Sequence, residues 1–134
     1  MSTAESRRVA LQWLECSTKG RYDDLSALTA SEMTWWISGL KETLATAGTY
    51  TSAERKGQMK KLFAGPKSFK FTVIRITAEG DTVVVEGFVR FENEEARVYK
   101  NDVILKFVVK DGKLQSLREY VGLVPHLIFR GTCI

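Results

Sequence analysis

Two polar residues stand where a β-strand pattern predicts an apolar surface, and they are the first candidates for chemistry. Residues 98–123 contain two apolar runs on either side of Asp111-Gly112, a dipeptide typical of β-hairpin turns. Asn101 lies in the first run and Glu119 in the second. A carboxyl group and an amide on an apolar surface are typical of a small-molecule site, and an enclosed carboxyl group suits proton transfer near neutral pH.

The face on which Glu119 lies depends on the length of the turn. The first run has an apolar face that consists of Val103, Leu105, Phe107 and Val109. A two-residue loop would add to it the side chains of Leu114, Ser116, Arg118 and Tyr120. A three-residue Lys110-Asp111-Gly112 loop would add Leu117, Glu119, Val121 and Leu123. Because a slip of one residue moves every side chain to the other face, the more apolar match favours the three-residue loop.

That register places Asn101 opposite Val121 and diagonal to Glu119, so both polar groups face the core. An alternative interpretation is that Glu119 lies at a strand end and reaches water, while Asn101 caps a bend. The pattern of residues leaves both interpretations open.

Length and composition indicate an ordinary globular protein. With 134 residues, 44% hydrophobic and 27% charged, the chain is expected to form a single domain over residues 1–134. It has no apolar run long enough to span a membrane, and the segment around Arg7 and Arg8 lacks the features of a secretory signal. We therefore expect a cytoplasmic protein that has no membrane partner.

The residues that bind metals or nucleic acids are few. Cys16, Cys133 and the single histidine His126 do not make a recognisable zinc site, so we expect free thiols, no metal and no cofactor. The net charge of +4 is mildly basic, and its densest cluster runs from Arg55 to Lys61. Because no aromatic side chains are interleaved with this cluster, it is interpreted as a solvated helix face, and no nucleic-acid partner is expected.

The elements that must position these residues follow an α+β order. Ser2–Glu5 and Thr51–Glu54 are capping-box patterns that predict the starts of two helices, and residues 33–38 predict a short strand. From Phe69 onward the apolar period is two, which predicts four antiparallel strands. Helices followed by strands indicate helices packed on one face of a curved antiparallel sheet.

Gly87 interrupts the third of the predicted strands. A glycine within a strand marks either a bend or the close approach of a backbone or a ligand, and the sequence leaves these alternatives open.

The chain resembles the SnoaL-like group of the nuclear transport factor 2-like superfamily in its element order and in three segments. These segments are MTWWISG from Met33, Tyr99-Lys100-Asn101 and Arg118-Glu119-Tyr120. The resemblance extends from Arg7 to about Phe129. It implies a cone-shaped (α+β) barrel in which a bent sheet and a long helix enclose an apolar pocket, which the C-terminal tail often closes. It also implies a homodimer formed through the outer face of the sheet, with Phe88, Arg90, Arg118 and Tyr120 on that face.

The superfamily includes ketosteroid isomerases, epoxide hydrolases, polyketide cyclases and proteins that only bind. The resemblance places Ile37-Ser38 where the isomerase has its base and Val103 where it has its acid. It places Gly87 where the hydrolase has an arginine and Val89 where it has one of its aspartates. Glu119 matches the other aspartate of the hydrolase and also the acid/base aspartate of the SnoaL-type cyclases. The resemblance therefore implies that Glu119 is the catalytic carboxylate.

Two classes of function follow from these residues. The first is a small enzyme without a cofactor, in which Glu119 is the general acid or base on an apolar carbonyl, enol or epoxide and Asn101 stabilises charge on oxygen. The second is a non-catalytic binding or dimeric interaction domain. The resemblance and the apolar pattern predict the residues that would line the pocket in either case: Trp13, Cys16, Trp36, Tyr50, Gly87, Phe91, Val103, Val121 and His126.

Overall fold

The computed structural model describes residues 2–62 and 68–130, apart from the side chains of Leu62, His126, Ile128 and Arg130. The helices are α1 (Thr3–Thr18), a 3-10 helix (Tyr22–Leu28), α2 (Ser52–Leu62) and α3 (Leu123–Arg130). The strands are β1 (Thr29–Ile37), β2 (Gly48–Thr51), β3 (Ser68–Glu79), β4 (Thr82–Glu92), β5 (Val98–Lys110) and β6 (Lys113–Val121).

One curved, open sheet carries the helices, so the α+β class is confirmed. Its strand order is β2-β1-β6-β5-β4-β3. The predicted antiparallel succession from β3 to β6 is also confirmed, whereas β1 runs parallel to β6. Residues 39–50 have no sustained apolar period and indicate a loop, so the sequence does not predict β2, which begins at Gly48. Helix α3 forms in the C-terminal tail. The parallel pairing brings the first strand of the chain beside Glu119.

The β5–β6 hairpin places Glu119 as predicted but through a different turn. Lys110 pairs with Lys113, so the loop has two residues, and both Asp111 (φ 53°) and Gly112 (φ 76°) are left-handed. A bulge at Gln115 then shifts the register, so Leu105 faces Glu119 and Val103 faces Val121. The predicted three-residue loop is wrong because a bulge supplies the extra residue, which moves the following side chains to the other face.

Helix α2 begins with a complete capping box. The backbone N–H of Glu54 donates to Thr51 Oγ1 (3.2 Å), and the backbone N–H of Thr51 donates to Glu54 Oε1 (2.9 Å). In α1 the Ser2 hydroxyl accepts the N–H of Glu5 at 3.1 Å. These bonds satisfy donors that helix starts leave unpaired, so they fix where each helix begins.

The core has two parts. The larger part lies between α1 and the sheet, where Trp13 packs edge-on against Trp35 (5.1 Å between ring centres) and Phe107 (5.9 Å). The smaller part contains Val89, Phe91, Tyr99 and Val103, and Phe129 of α3 packs on it. The tail therefore folds back over the sheet, as the resemblance implies.

Candidate active site

A largely apolar cavity of about 400 Å³ lies between the sheet and the three α-helices. Helix α1 supplies Trp13 and Leu14, α2 supplies Arg55 and Met59, and α3 supplies Phe129. The strands supply most of the remaining wall: Trp35, Ile37, Phe69, Phe71, Val89, Phe91, Tyr99, Val103, Leu105, Leu117, Glu119 and Val121. The rest comes from the end of α1 and the segment before β2: Ser17, Thr18, Leu44, Ala45 and Thr46. The volume is within the range of pockets that hold small organic molecules.

Glu119 enters this cavity from β6, and a tryptophan holds its carboxylate. Trp35 Nε1 donates to Glu119 Oε1 at 2.9 Å, and the indole itself is buried. Strand β1 runs parallel to β6 and sets Ile37 beside Glu119. This pairing brings Trp35 and Glu119 together although they are 84 positions apart in the chain. Within the described residues the carboxylate accepts no other hydrogen bond, so only one of its two oxygens is held by the protein.

Ser38 fixes the backbone on both sides of this carboxylate. Its N–H donates to the Glu119 carbonyl (2.9 Å), and its hydroxyl accepts the N–H of Val121 (3.0 Å). Ser38 therefore holds the end of β6 against the end of β1, where the resemblance places the base of a ketosteroid isomerase.

Arg55 lies in the cavity wall rather than on a solvated helix face. Its side chain is only 6% exposed, and its guanidinium carbon lies 5.0 Å from the centre of the Trp35 ring. Nη1 donates to Gln58 Oε1 (3.0 Å), while Nε is buried without an acceptor among the described residues. Lys60 and Lys61 of the same basic cluster are exposed. The prediction was wrong for Arg55 because charge density alone does not show which side of a helix faces the sheet.

Tyr99 places a neutral hydroxyl in the wall. Burial and the negative charge of Glu119 raise the pKa of Tyr99 above its usual value, and these effects outweigh a hydrogen bond from Asn101 and the positive charge of Arg55. The phenol therefore keeps its proton throughout the neutral pH range.

Asn101 supports Tyr99 and does not line the cavity. It is buried, and its Nδ2 donates to the Tyr99 hydroxyl (2.7 Å) and to the Gly122 carbonyl (2.9 Å). The predicted contact between Asn101 and a ligand is therefore replaced by a contact with the protein. Asn101 lies beyond the paired part of β6, because the β5–β6 ladder reaches only Val103 opposite Val121.

Four of the predicted lining residues lie with Glu119 in the cavity wall, namely Trp13, Phe91, Val103 and Val121. Cys16 of α1 does not line the cavity; it is half-buried and packs against the core. The side chain of His126 lies outside the described residues, as does Cys133.

Three further lining predictions are corrected by the structure. Trp36 is on the outer face of β1, because side chains alternate along a strand, and Arg118 lies over its ring at 3.8 Å. The Tyr50 hydroxyl accepts from Lys41 Nζ (2.9 Å) and donates to the Ala47 carbonyl (3.1 Å), so it anchors the segment before β2. Gly87 does not line the cavity, because the ring of Phe71 occupies the space beside it and would collide with a Cβ there.

Three of the polar or aromatic groups of the site are absent from the predicted set: Trp35, Arg55 and Tyr99. The position of Trp35 can be predicted once Glu119 is known to lie beside Ile37, because residues two apart in β1 share one face. The other two carry no comparable signal, because their positions depend on how α2 and β5 pack around the cavity.

The sequence matches the profile of the SnoaL-like domain over residues 10–117. The chain belongs to this family. The SnoaL-like domain is part of the nuclear transport factor 2-like superfamily, as the sequence analysis predicts. A comparison of this SnoaL-like domain with curated proteins found no match.

Solved structures share the fold of this SnoaL-like domain. A nuclear transport factor 2-like protein from Burkholderia xenovorans is 23% identical with a TM-score of 0.74, and the match covers 93% of this chain and 95% of that one. An LEH-like epoxide hydrolase from Mycobacterium tuberculosis is 16% identical with a TM-score of 0.76, and the match covers 95% of this chain and 90% of that one. A SnoaL-like polyketide cyclase, so described provisionally, from Shewanella putrefaciens is 9% identical with a TM-score of 0.78, covering 94% and 96%.

In the described part of this SnoaL-like domain, no helix has both the length and the apolar character needed to cross a bilayer.

Proposed function

We propose that this SnoaL-like domain is a cofactor-independent enzyme in which Glu119 is a general base acting on an apolar molecule that contains a carbonyl or enol group. The observation that carries the proposal is the Trp35–Glu119 hydrogen bond of 2.9 Å inside a largely apolar cavity. A carboxylate with few polar neighbours is less well solvated than one in water, and an apolar cavity holds an apolar substrate against it.

The geometry supports the transfer of a single proton. Glu119 removes a proton from a carbon next to the carbonyl, so the C–H bond breaks, an O–H bond forms on Glu119, and the negative charge moves to the carbonyl oxygen. Glu119 then returns the proton to another carbon, which completes an isomerisation. Alternatively, the enolate carbon attacks a second carbonyl of the same molecule, so a new C–C bond closes the ring, and the alkoxide that forms takes the proton back from Glu119. Trp35 is a positioning residue, because it fixes one carboxylate oxygen and so directs the other.

A hydrolytic reaction has less support. Glu119 is the only acidic side chain among the described residues that line the cavity. Gly87 and Val89, the positions where the resemblance implies the arginine and aspartate of an epoxide hydrolase, supply no polar group. One carboxylate is sufficient to move a proton between carbons, whereas the hydrolase network uses several polar groups on one water.

The base-promoted ring opening of 5-nitrobenzisoxazole tests this role. A base removes the proton from the ring carbon, the N–O bond breaks, and a coloured cyanophenolate forms, so the rate of proton removal is read directly from absorbance. We expect the wild-type protein to accelerate the reaction and Glu119→Gln to lower kcat/KM by roughly 100-fold or more.

Glu86→Gln is the matched control, because Glu86 is an exposed carboxylate on β4; its kcat/KM should equal that of the wild type. Trp35→Phe should keep the base but lower kcat/KM through lost orientation. Equal rates for Glu119→Gln and wild type would overturn the proposal. If probe binding remained, a non-catalytic binding domain would then be the better description.

We propose further that the protein is a homodimer that uses the outer face of the sheet. Trp36, Arg118 and Tyr120 form an aromatic and cationic cluster there, in which Arg118 Nε donates to the Tyr120 hydroxyl (3.0 Å). Such side chains are enriched in interfaces. Light scattering at micromolar concentration should give twice the chain mass of 15.1 kDa, and a monomer would contradict the proposal.

A further inference from the structure

Most of the hydrogen-bond donors of Arg55 have no acceptor among the described residues. A guanidinium group carries five N–H donors, and here the only hydrogen bond formed within the described residues is from Nη1 to Gln58. Nε is completely buried and unpaired, and the whole residue is only 6% exposed. An arginine that is more than nine-tenths buried normally has an anionic partner.

The surroundings of Arg55 compensate its charge only in part. Among the described residues it forms no ion pair within 4.0 Å. Besides the hydrogen bond to Gln58, it lies over the face of the Trp35 ring, 5.0 Å from the ring centre. Arg55 also lies near the start of α2, where the helix dipole disfavours a positive charge. The protein alone therefore leaves a positive charge in the cavity wall without a full partner.

Arg55 and Glu119 lie on two sides of one tryptophan. The guanidinium is over the ring face of Trp35, and the indole N–H at the ring edge binds the carboxylate of Glu119. Both charged groups line the same cavity, and they are the only charged side chains among its described lining residues. A single ligand can therefore contact the cation with one group and the carboxylate with a neighbouring carbon.

We infer that Arg55 binds a carboxylate of the ligand, so the cavity selects apolar carboxylic acids over neutral molecules of the same shape. The planar fork of a guanidinium matches the two oxygens of a carboxylate, and the low polarity of the wall strengthens the pair. If Glu119 is the base, as proposed above, the substrate is an apolar keto acid whose acidic carbon lies at Glu119. This chemical consequence rests on the proposed function. Its binding part is independent of catalysis.

The test compares 2-naphthoate with 2-naphthamide, two bicyclic probes of equal shape that differ in charge, by isothermal titration calorimetry at pH 7.5. The wild-type protein should bind the carboxylate roughly tenfold more tightly or better. Arg55→Met should remove this preference, whereas Lys60→Met, which deletes an exposed charge from the same helix, should retain it. Because the preference is a ratio measured within each variant, it does not depend on the folded fraction.

Arg55→Lys and Glu119→Gln make the result specific. Arg55→Lys keeps the charge but loses the planar fork, so it should show a smaller preference than wild type. Glu119→Gln should keep the full preference even if it abolishes proton transfer, which separates failure of this inference from failure of the proposed function. An unchanged ratio in Arg55→Met, a wild-type preference for the amide, or no wild-type binding of either probe at millimolar concentration would each overturn the inference.

Discussion

At the scale of single residues, the site has two charged side chains in contact with one indole. Trp35 donates its N–H to Glu119 and presents its ring face to Arg55, so two opposite charges share one cavity without forming a direct salt bridge. Tyr99 adds a neutral hydroxyl that Asn101 holds in place. A half-buried carboxylate that forms no salt bridge with the nearby arginine remains free to act as a base.

The raised pKa of Tyr99 predicts a loss of stability in alkaline solution. The unfolded tyrosine loses its proton near its ordinary value of 10.0, whereas the folded one keeps it to higher pH. The unfolded state therefore binds fewer protons above pH 10, so stability falls as pH rises toward the folded pKa. Urea denaturation at pH 8 and pH 11 measures the fall in unfolding free energy between these two pH values. The fall in the wild-type protein should exceed the fall in Tyr99→Phe by up to about 1 kcal/mol. Equal falls in the two proteins would contradict the buried phenol.

At the scale of elements, local signals in the sequence were sufficient for some features and not for others. The capping box before α2 and the alternation of β4 and β5 act through neighbouring residues, so they could be predicted. The bulge at Gln115 could not, because it is selected by the match between two strands rather than by its own residue type. Strand β2 is only four residues long and depends on pairing with β1, which explains why segment 39–50 was interpreted as a loop.

The capping box of α2 predicts a defined effect on stability and on its pH dependence. Thr51→Ala should lower the unfolding free energy at pH 7 by about 1 kcal/mol, because it removes the acceptor for the Glu54 N–H. The backbone N–H of Thr51 lowers the pKa of Glu54 from its ordinary value of 4.5. The stabilisation from the hydrogen bond between the Thr51 N–H and the Glu54 carboxylate is therefore present above pH 4.5. It is lost as pH falls through the pKa of Glu54 in the folded protein.

Glu54→Gln keeps a side-chain acceptor but cannot titrate, so its stability should change less than that of the wild type between pH 6 and pH 3. Thermal denaturation over this range measures both effects. Identical pH curves for the two proteins would show that the bond to Glu54 does not contribute in solution.

At the scale of the whole molecule, the cavity forms where distant segments meet. Helices α1, α2 and α3 each supply one side, and β1 reaches Glu119 only because it joins the sheet parallel to β6. The fold class and the position of Glu119 were accessible from apolar periodicity and from the resemblance to a family. Arg55 and Tyr99 were not, since a sequence pattern shows that a residue is on a helix or strand but not what packs over it.

The most direct test of the central claim is hydrogen–deuterium exchange at the acidic carbon of 2-tetralone, a bicyclic ketone. Proton NMR in deuterated buffer at neutral pD follows the loss of that C–H signal and so observes the proposed proton transfer itself. We expect exchange above the buffer rate with the wild-type protein and with Glu86→Gln, and a return to the buffer rate with Glu119→Gln. Exchange by Glu119→Gln at the wild-type rate would contradict the assignment of Glu119 as the base.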